Sequence, residues 1–372
     1  MTFETNDLLP DPAALIEETD WDSLEHAYGP AEDTALRLVE LLDEDLEVQA
    51  NALGQLDMSV LHQGSLYSAT PPVALFIAAI IGHPRTLAEH ESAFPWDNRR
   101  RPFRAALLEW LGLMAESAAY EDPDDGVEGD EPDVTESCRA IRPAIYSAVA
   151  PYLDDPAPAV REAAIGAAVW LLKTPELVNH RPPAARLLKE SLASSDDRRE
   201  RAAAVLTLGA WEQDTANLLA DPDPAIRACA ALAPGPTQNA EATRVLLDAL
   251  GDPATADSWF PEPLPQFEGW FRFTLLEALI ERVSTFEELL PAALAIARIT
   301  SAYTVDREWG PLLVKAFPDS YIRGTELTDA QRSFLQALSE NDDCWGKIAN
   351  PRVWLRKIGL PEERAEIQAL LE

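Results

Sequence analysis

The chain has 372 residues, of which 47% are hydrophobic, and its formal net charge at pH 7 is −34. This length exceeds one typical globular core, so two domains or one long repeat array are expected. So negative a surface repels phosphate backbones and anionic lipids, which argues against nucleic-acid and membrane-surface binding and favours solubility or a cationic partner.

Hydropathy and cysteine usage indicate the compartment of the protein. The apolar run Val73–Ile81 is too short to span a bilayer, and residues 1–11 lack the features of a secretory signal. Cys138, Cys229 and Cys344 are widely spaced, which suits a reducing compartment better than a disulfide framework or a zinc site. We therefore expect a cytoplasmic protein with no cofactor and no metal.

Residues 1–20 are acidic and are expected to form a loosely held lead-in. After them, apolar periodicity predicts helices in antiparallel pairs, separated by turns rich in Pro, Gly and acidic residues. Thr70, which precedes two prolines, is expected to cap one of these helices. In chain order the predicted helices cover residues 35–42, 50–58, 73–81, 103–117, 137–153, 157–173, 183–193, 198–210, 215–220, 224–233, 240–250, 270–283, 286–300, 306–317, 328–339, 351–358 and 361–371.

The helix over residues 157–173 is specified most strongly, because its apolar positions recur three and four residues apart and thus share one face. Small side chains on that face would let a neighbouring helix approach closely. These positions are Val160, Ala164, Ala167, Ala168 and Leu171.

A repeated spacing accompanies the helix pairs. Arg161 follows Asp155 by six positions, and Arg227 follows Asp221 by the same offset. Arg201 lies 40 residues after Arg161, which matches the period of about 40–47 residues of one class of helical repeat. The next interval, from Arg201 to Arg227, is shorter, so one predicted unit is truncated.

These features resemble the HEAT repeat, an armadillo-type helix pair. Val160–Ala164 and Ile226–Ala230 match the repeat motif best, and His26–Gly29 and His62–Pro71 resemble segments of a bacterial subgroup of that class. The resemblance implies an all-α fold, an α-solenoid of HEAT-like antiparallel helix pairs wound into an α-α superhelix. It also implies protein–protein interaction and names no catalytic residue. Gln49 departs from the pattern, since it stands where the repeat has arginine.

The predicted organisation has four segments. Residues 1–118 form the lead-in and first HEAT-like repeats, and residues 119–136 form an acidic flexible loop. Deletion of residues 122–133 within it should leave folding intact. Residues 137–327 form the central repeats. Residues 328–372 form a C-terminal helical cap that seals the last apolar face, as end repeats commonly do.

Most enzyme signatures are absent from the sequence. It has no nucleophile elbow, no phosphate-binding glycine loop and no paired-histidine zinc helix. His83 and His90 lie in a proline-interrupted loop, so a surface-loop interpretation is favoured over a metal site. In the acidic loop Pro123 and Pro132 occupy positions where a calcium loop needs oxygen ligands. We therefore expect no enzyme activity.

Two sets of polar residues are candidates for partner binding. His62, Gln63 and Tyr67 could present a hydrogen-bonding edge, although a structural role is favoured in which Gly64 supplies a positive φ to the turn. An arginine cluster could bind an acidic group, although internal neutralisation of nearby carboxylates is favoured. The predicted partner surface spans both sets, and the aromatic stretch 259–267 is an alternative location for it. The residues of the predicted partner surface are His62, Gln63, Tyr67, Trp96, Arg99, Arg100, Arg101 and Arg104.

The leading functional hypothesis is a protein-binding α-solenoid, specifically an acidic immunity-like or inhibitor-like protein that binds a basic protein partner. One alternative is a HEAT-fold enzyme, similar to a DNA glycosylase or a chromophore lyase. A glycosylase of that kind needs a basic concave face, which the net charge opposes. The other alternative is a general structural scaffold.

Overall fold

The computed structural model describes residues 9–91, 98–119, 134–233, 239–267 and 269–372. Within these ranges the protein is predominantly helical, with nineteen α-helices and two short antiparallel strand pairs. The predicted all-α class is confirmed. None of the helices in the described ranges has the length and apolar character needed to cross a membrane.

The first of two compact units comprises residues 1–211 and Leu264–Gln266. Strand β1 (Glu25–His26) pairs with β2 (Gly29–Pro30), and β3 (Glu89–Glu91) pairs with β4 (Arg100–Pro102). The described helices of this unit are α1 (Pro12–Glu18), α2 (Thr34–Glu40), α3 (Leu46–Val60), α4 (Thr70–Ile80), α5 (Phe103–Ser117), α6 (Val134–Ala140), α7 (Arg142–Val149), α8 (Pro158–Leu171), α9 (Arg181–Ser194) and α10 (Arg198–Ala210).

The second unit comprises residues 212–263 and 267–372. Its interior holds a buried charge network in which Arg272 Nε donates to Glu308 Oε1 at 2.7 Å and the same guanidinium pairs with Asp257. Its described helices are α11 (Pro224–Leu232), α12 (Ala240–Leu250), α13 (Pro253–Ser258), α14 (Phe271–Arg282), α15 (Phe286–Ala297), α16 (Trp309–Ala316), α17 (Asp329–Glu340), α18 (Asn350–Lys357) and α19 (Arg364–Leu371).

The first unit is centred on the contact between α5 and α8, the most extensive helix–helix contact in the described ranges. Both helices are buried around most of their circumference. A Cβ atom placed on Gly112 would lie 3.1 Å from Ala167 Cα, so the glycine is needed for the two backbones to approach this closely. The small-residue face predicted for α8 therefore does receive a neighbouring helix.

The described part of the predicted lead-in, residues 9–20, contains a helix, and residues 1–8 lie outside the described residues. Residues 12–18 form α1, capped by Asp11, whose carboxylate accepts from the N–H groups of Ala13 and Ala14. Trp21 is buried and its Nε1 donates to Ile16 O at 3.1 Å, which holds the end of α1 against the unit. The sequence did not predict α1, because so short a helix shows no strong apolar period.

Other predicted boundaries shift for local reasons. Thr70 is the first residue of α4 and not its cap, because its hydroxyl is taken up by Tyr67 N and Val60 O. The predicted acidic loop ends early, since α6 begins at Val134, and residues 120–133 lie outside the described part of the chain. The compact units divide at Trp211, so the four-segment division stays a prediction about the helix pairs.

The six-residue acid-to-arginine spacing has a common structural basis. Arg161 Nη1 donates to Asp155 O at 2.6 Å and to the carbonyl of the following proline at 3.1 Å. Arg227 Nη1 makes the same contacts, at 2.7 Å to Asp221 O and 3.1 Å to the next carbonyl. The arginine thus binds the backbone of the turn, while the Asp155 carboxylate accepts from the N–H two residues on at 2.9 Å.

Arg161 has a second partner that links its turn to α10. Its Nε and Nη2 donate to the two carboxylate oxygens of Glu200 at 2.6 and 2.7 Å. Glu200 is fully buried. Burial by itself would raise the pKa of Glu200, but hydrogen bonds from Arg161, Ser191 and Ser195 outweigh it and hold that pKa below its usual value. No such carboxylate pairs with Arg227 among the described residues.

We predict that Arg161→Met lowers the free energy of unfolding by about 3 kcal/mol, because it leaves a buried carboxylate without its arginine. Arg227→Met should cost about 1 kcal/mol, the loss of hydrogen bonds to turn carbonyls. Urea denaturation followed by circular dichroism at pH 7 measures both losses.

The pH dependence gives an independent check of the Arg161 prediction. Because the pKa of Glu200 is lowered in the folded protein, the stabilisation is present above the unfolded pKa and is lost as pH falls through the folded value. The deficit of Arg161→Met should therefore shrink in acid. Equal losses for the two variants, or a deficit that does not change with pH, would contradict the assignment.

Candidate partner-binding surface

His62, Gln63 and Gly64 form a 3₁₀ turn that links α3 to α4. Gln63 has φ 52° and Gly64 has φ 77°, so two successive residues occupy the left-handed region. The turn closes with Ser65 N donating to His62 O at 3.0 Å. The predicted positive φ at Gly64 is confirmed, and Gln63 is displayed at the exposed tip of the turn.

Tyr67 joins this turn through its backbone. Its N–H donates to Thr70 Oγ1 at 2.8 Å, and the Thr70 hydroxyl in turn donates to Val60 O at 2.6 Å. The buried threonine therefore ties the end of α3 to the start of α4. The local fold explains His62, Gln63 and Tyr67 as parts of a rigid inter-helix turn, which leaves their side chains available at its surface.

The hairpin of β1 and β2 brings a tyrosine, missed by sequence reasoning, against this turn. Ala27 N donates to Ser59 O at 2.9 Å, which docks the hairpin on α3. The Tyr28 and His62 ring centroids are then 5.6 Å apart in an edge-to-face arrangement. His62 Nδ1 lies 3.0 Å from Met58 O, so a neutral ring carries its proton on Nδ1.

His26 positions the hairpin tip from the other side. Tyr28 N donates to His26 Nδ1 at 3.1 Å, so the ring proton of neutral His26 lies on Nε2. That nitrogen is 3.1 Å from Asp33 Oδ1 at the start of α2. Tyr28 is therefore held in place by its backbone while 66% of the residue is exposed. The tight turn needs Gly29, whose φ is 121°.

Large apolar side chains are exposed around this hairpin and on the neighbouring helices α2 and α3. Leu36 and Val39 are three residues apart and thus share a face of α2. Isolated exposed apolar residues are ordinary, whereas contiguous groups of them are typical of interaction surfaces. The exposed large apolar residues of this region are Tyr28 at 66%, Leu36 at 55%, Val39 at 56% and Met58 at 53%.

The same region is strongly acidic. Between residues 17 and 47 the sequence contains Arg37 as its one permanently cationic side chain, and Arg37 pairs with Glu40. We call the exposed carboxylates of this stretch, together with the four exposed apolar residues, the N-terminal acidic surface. The exposed carboxylates are Glu17, Glu18, Asp20, Asp22, Glu25, Glu32, Asp33, Asp43, Glu44, Asp45 and Glu47.

The predicted arginine cluster is directed largely inwards. Arg99 Nη1 donates to the Glu162 carboxylate at 2.9 and 3.1 Å, and Arg199 binds the same carboxylate from α10 at 2.8 and 3.1 Å. Arg101 is buried and pairs with Glu109 of α5. Internal neutralisation, the favoured interpretation of the cluster, thus describes both residues.

Arg104 is also buried, between α4 and the turn before α8. Its Nε donates to Ile81 O at 2.8 Å, and its guanidinium lies 4.9 Å from the Tyr152 ring centroid. Its Nη1 is 3.8 Å from Asp155 Oδ2. Arg100 is exposed and donates to Glu89 O at 3.1 Å. Trp96 lies outside the described residues.

The rival aromatic stretch is mainly internal to the second unit. Phe260 and Phe267 are buried and both pack against Phe271, at ring-centroid distances of 5.1 and 4.6 Å. Trp259 is 6.2 Å from the same ring. Phe260 and Phe267 thus have a packing role in this unit, whereas Trp270, just after the stretch, is 50% exposed.

One titratable group lies at the base of the His62 turn. Asp57 of α3 is partly buried, and burial, followed by repulsion from Glu109, raises the pKa of its carboxyl to about 6, against an opposing effect of His62. The folded protein therefore keeps this proton between about pH 4 and 6, where the unfolded chain releases it. Ionisation of Asp57 costs folding stability as pH rises through that window.

We predict that Asp57→Asn stabilises the protein at pH 7.5 by about 1–3 kcal/mol and by clearly less at pH 4.5, because asparagine mimics the protonated carboxyl. Urea denaturation at the two pH values measures the difference. Asp43→Asn, on an exposed carboxylate of the same unit, is the control. A stabilisation by Asp57→Asn that is the same at both pH values would contradict a raised pKa.

Among the described residues, no three His, Cys, Asp or Glu side chains are grouped so that they could hold a metal ion. His83 Nδ1 accepts from Arg85 N at 3.2 Å and so caps a 3₁₀ turn. No protein-family model matches this sequence, and no curated protein matches it either. The functional conclusion rests on the surface itself.

Proposed function

We propose that this protein binds another protein whose contact surface is basic, and that the N-terminal acidic surface makes the contact. A rigidly held, exposed tyrosine with aliphatic neighbours is the composition of a binding hot spot. Carboxylates surround it in sequence and few cations accompany them. Such a surface attracts a basic partner over long range and then buries apolar area in the contact.

The pairing of arginines with carboxylates inside the protein supports a positively charged partner. Arg99 and Arg101 neutralise Glu162 and Glu109 within the first unit. The positive charges of Arg99 and Arg101 are therefore paired inside the protein, and the excess of carboxylates remains at the surface. An acidic partner or a phosphate backbone would meet net repulsion at the N-terminal acidic surface.

We further propose, from the resemblance to HEAT repeats, that the helices of this protein form an α-solenoid. Arg161 and Arg227 bind their turns in the same way, which supports repeated helix pairs in an α-solenoid. Within it we place the partner surface at the hairpin and the His62–Gln63 turn, with Arg100 as an exposed cation to one side. Arg101 and Arg104, being buried, contribute to stability.

The form of the activity that fits best is stoichiometric inhibition or immunity in the cytoplasm, without catalysis. A strongly acidic protein neutralises a basic toxin or nuclease by covering its active surface, and opposite charge speeds the association. A HEAT-fold enzyme and a general scaffold are the alternatives. The scaffold would bind several unrelated partners, and the enzyme would need a substrate but no stoichiometric partner.

The test uses purification from the native host with tagged wild-type and variant proteins as bait. We predict that one basic protein co-purifies stoichiometrically with the wild type and that Tyr28→Ala weakens its binding by more than about 1 kcal/mol. Tyr303→Ala is the matched control, since Tyr303 is 82% exposed on the second unit. Both variants should melt like the wild type, because both side chains are mostly in solvent.

Salt dependence separates this proposal from its alternatives. The association rate should fall as ionic strength rises, because screening weakens attraction between the charged surfaces. If Tyr28→Ala and Tyr303→Ala weakened partner binding equally, the proposal that the partner binds at the N-terminal acidic surface would be wrong. Several unrelated partners would favour the scaffold, and recovery of nucleic acid alone would overturn the proposal.

A further inference from the structure

Arg142, the first residue of α7, is a buried cation that forms no ion pair with a carboxylate of the described residues. Only 4% of the residue is exposed. Its Nη2 donates to Ala115 O at 3.1 Å, near the end of α5. Its Nε is fully buried and finds no acceptor in the described residues. The contact with α5 explains one N–H of the five that a guanidinium carries.

The other buried arginines show what is unusual about this one. Arg101 pairs with Glu109, Arg104 lies 3.8 Å from Asp155, and Arg272 pairs with both Asp257 and Glu308. Within the described ranges no carboxylate forms an ion pair with Arg142.

An unpaired buried charge is costly, because the interior replaces none of the lost hydration. Burial lowers the pKa of the Arg142 guanidinium, and the nearby positive charge of Arg139 lowers it further. The charges of Cys138, Glu176 and Glu136 oppose these effects. None of the carboxylates in the described ranges, however, is paired directly with the Arg142 guanidinium.

A cavity of about 510 Å³ adjoins this group. Arg139, Arg142 and Lys173 line it from three different elements, and Glu136 and Glu176 complete its charged wall. Its volume is in the range of small-molecule sites. Lys173 is exposed, and its ammonium lies 4.8 Å from the Trp170 ring centroid.

The arginines also interact with the end of α5. Arg139 Nε donates to Ala118 O at 2.9 Å and Arg142 donates to Ala115 O, so both complement the negative end of that helix. This capping accounts for their presence. It does not account for the presence of Arg142 and Lys173 in the wall of one cavity.

We propose that this cavity binds a small molecule through an oxyanion group, a phosphate or a carboxylate, which pairs with Arg142 and Lys173. A guanidinium offers parallel N–H donors that match two oxygens of such a group, and the lysine adds a mobile charge at the rim. Glu176, on the exposed side, can accept from a hydroxyl or amino group elsewhere on the ligand. The site is separate from the N-terminal acidic surface and does not depend on the proposed partner.

The experiment titrates the whole protein at low ionic strength with inorganic pyrophosphate and, separately, with citrate, using calorimetry. A protein of net charge −34 repels free anions, so saturable binding of one anion per chain reports a local site. We expect one probe to bind and to raise the melting temperature, since ligands that bind the native state stabilise it. Which probe binds distinguishes phosphate from carboxylate recognition.

Three variants connect binding to the cavity. Arg142→Gln should weaken binding at least tenfold, and Lys173→Gln, at an exposed position that folding does not need, at least threefold. Arg186→Gln should leave it unchanged, because Arg186 is an exposed arginine of α9 that does not line the cavity. Failure of both probes to bind the wild type would overturn the proposal. So would binding that is equal in Lys173→Gln and Arg186→Gln, even if Arg142→Gln does not fold.

Discussion

The close approach of α5 and α8 is the constraint on which the first unit depends. Gly112 and Ala167 leave no room between the two backbones, and both helices are buried on nearly every side. Each nevertheless carries a carboxylate, Glu109 on α5 and Glu162 on α8, and both carboxylates are buried. A buried carboxylate needs a positive partner with good geometry, because desolvation otherwise outweighs every local gain. The arginines around β4 meet that need.

This internal neutralisation leaves the surface of the protein negatively charged. Arg99 and Arg101 are used at Glu162 and Glu109, so the densest basic cluster of the sequence does not offset the acidic exterior. The N-terminal acidic surface then combines many exposed carboxylates, of which Glu44 pairs with Arg85, with an exposed Tyr28. A buried positive charge likewise needs a negative partner. Arg142 is buried beside a cavity and has no carboxylate partner in the described ranges. One physical requirement thus underlies both proposals.

The helices were largely predictable from the sequence because their signals are local. The prediction for residues 103–117 coincides with α5, and that for 240–250 coincides with α12. Apolar periodicity and turn residues act within a few positions, so they can be detected in a single sequence. Short elements escaped for the same reason, since α1 and α13 have seven and six residues and too few turns to show a period.

The sequence by itself determined the helical class, the small-residue face of α8 and the positive φ at Gly64, which all follow from nearest neighbours along the chain. The tertiary structure alone decided what those helices bring together. Arg99 meets Glu162 across 63 positions, and Tyr28 meets His62 across 34. Such pairings depend on which helices pack against each other, and the residue types permit many alternatives. An arginine cluster therefore looks the same in sequence whether it faces solvent or a buried carboxylate, and only packing distinguishes the two.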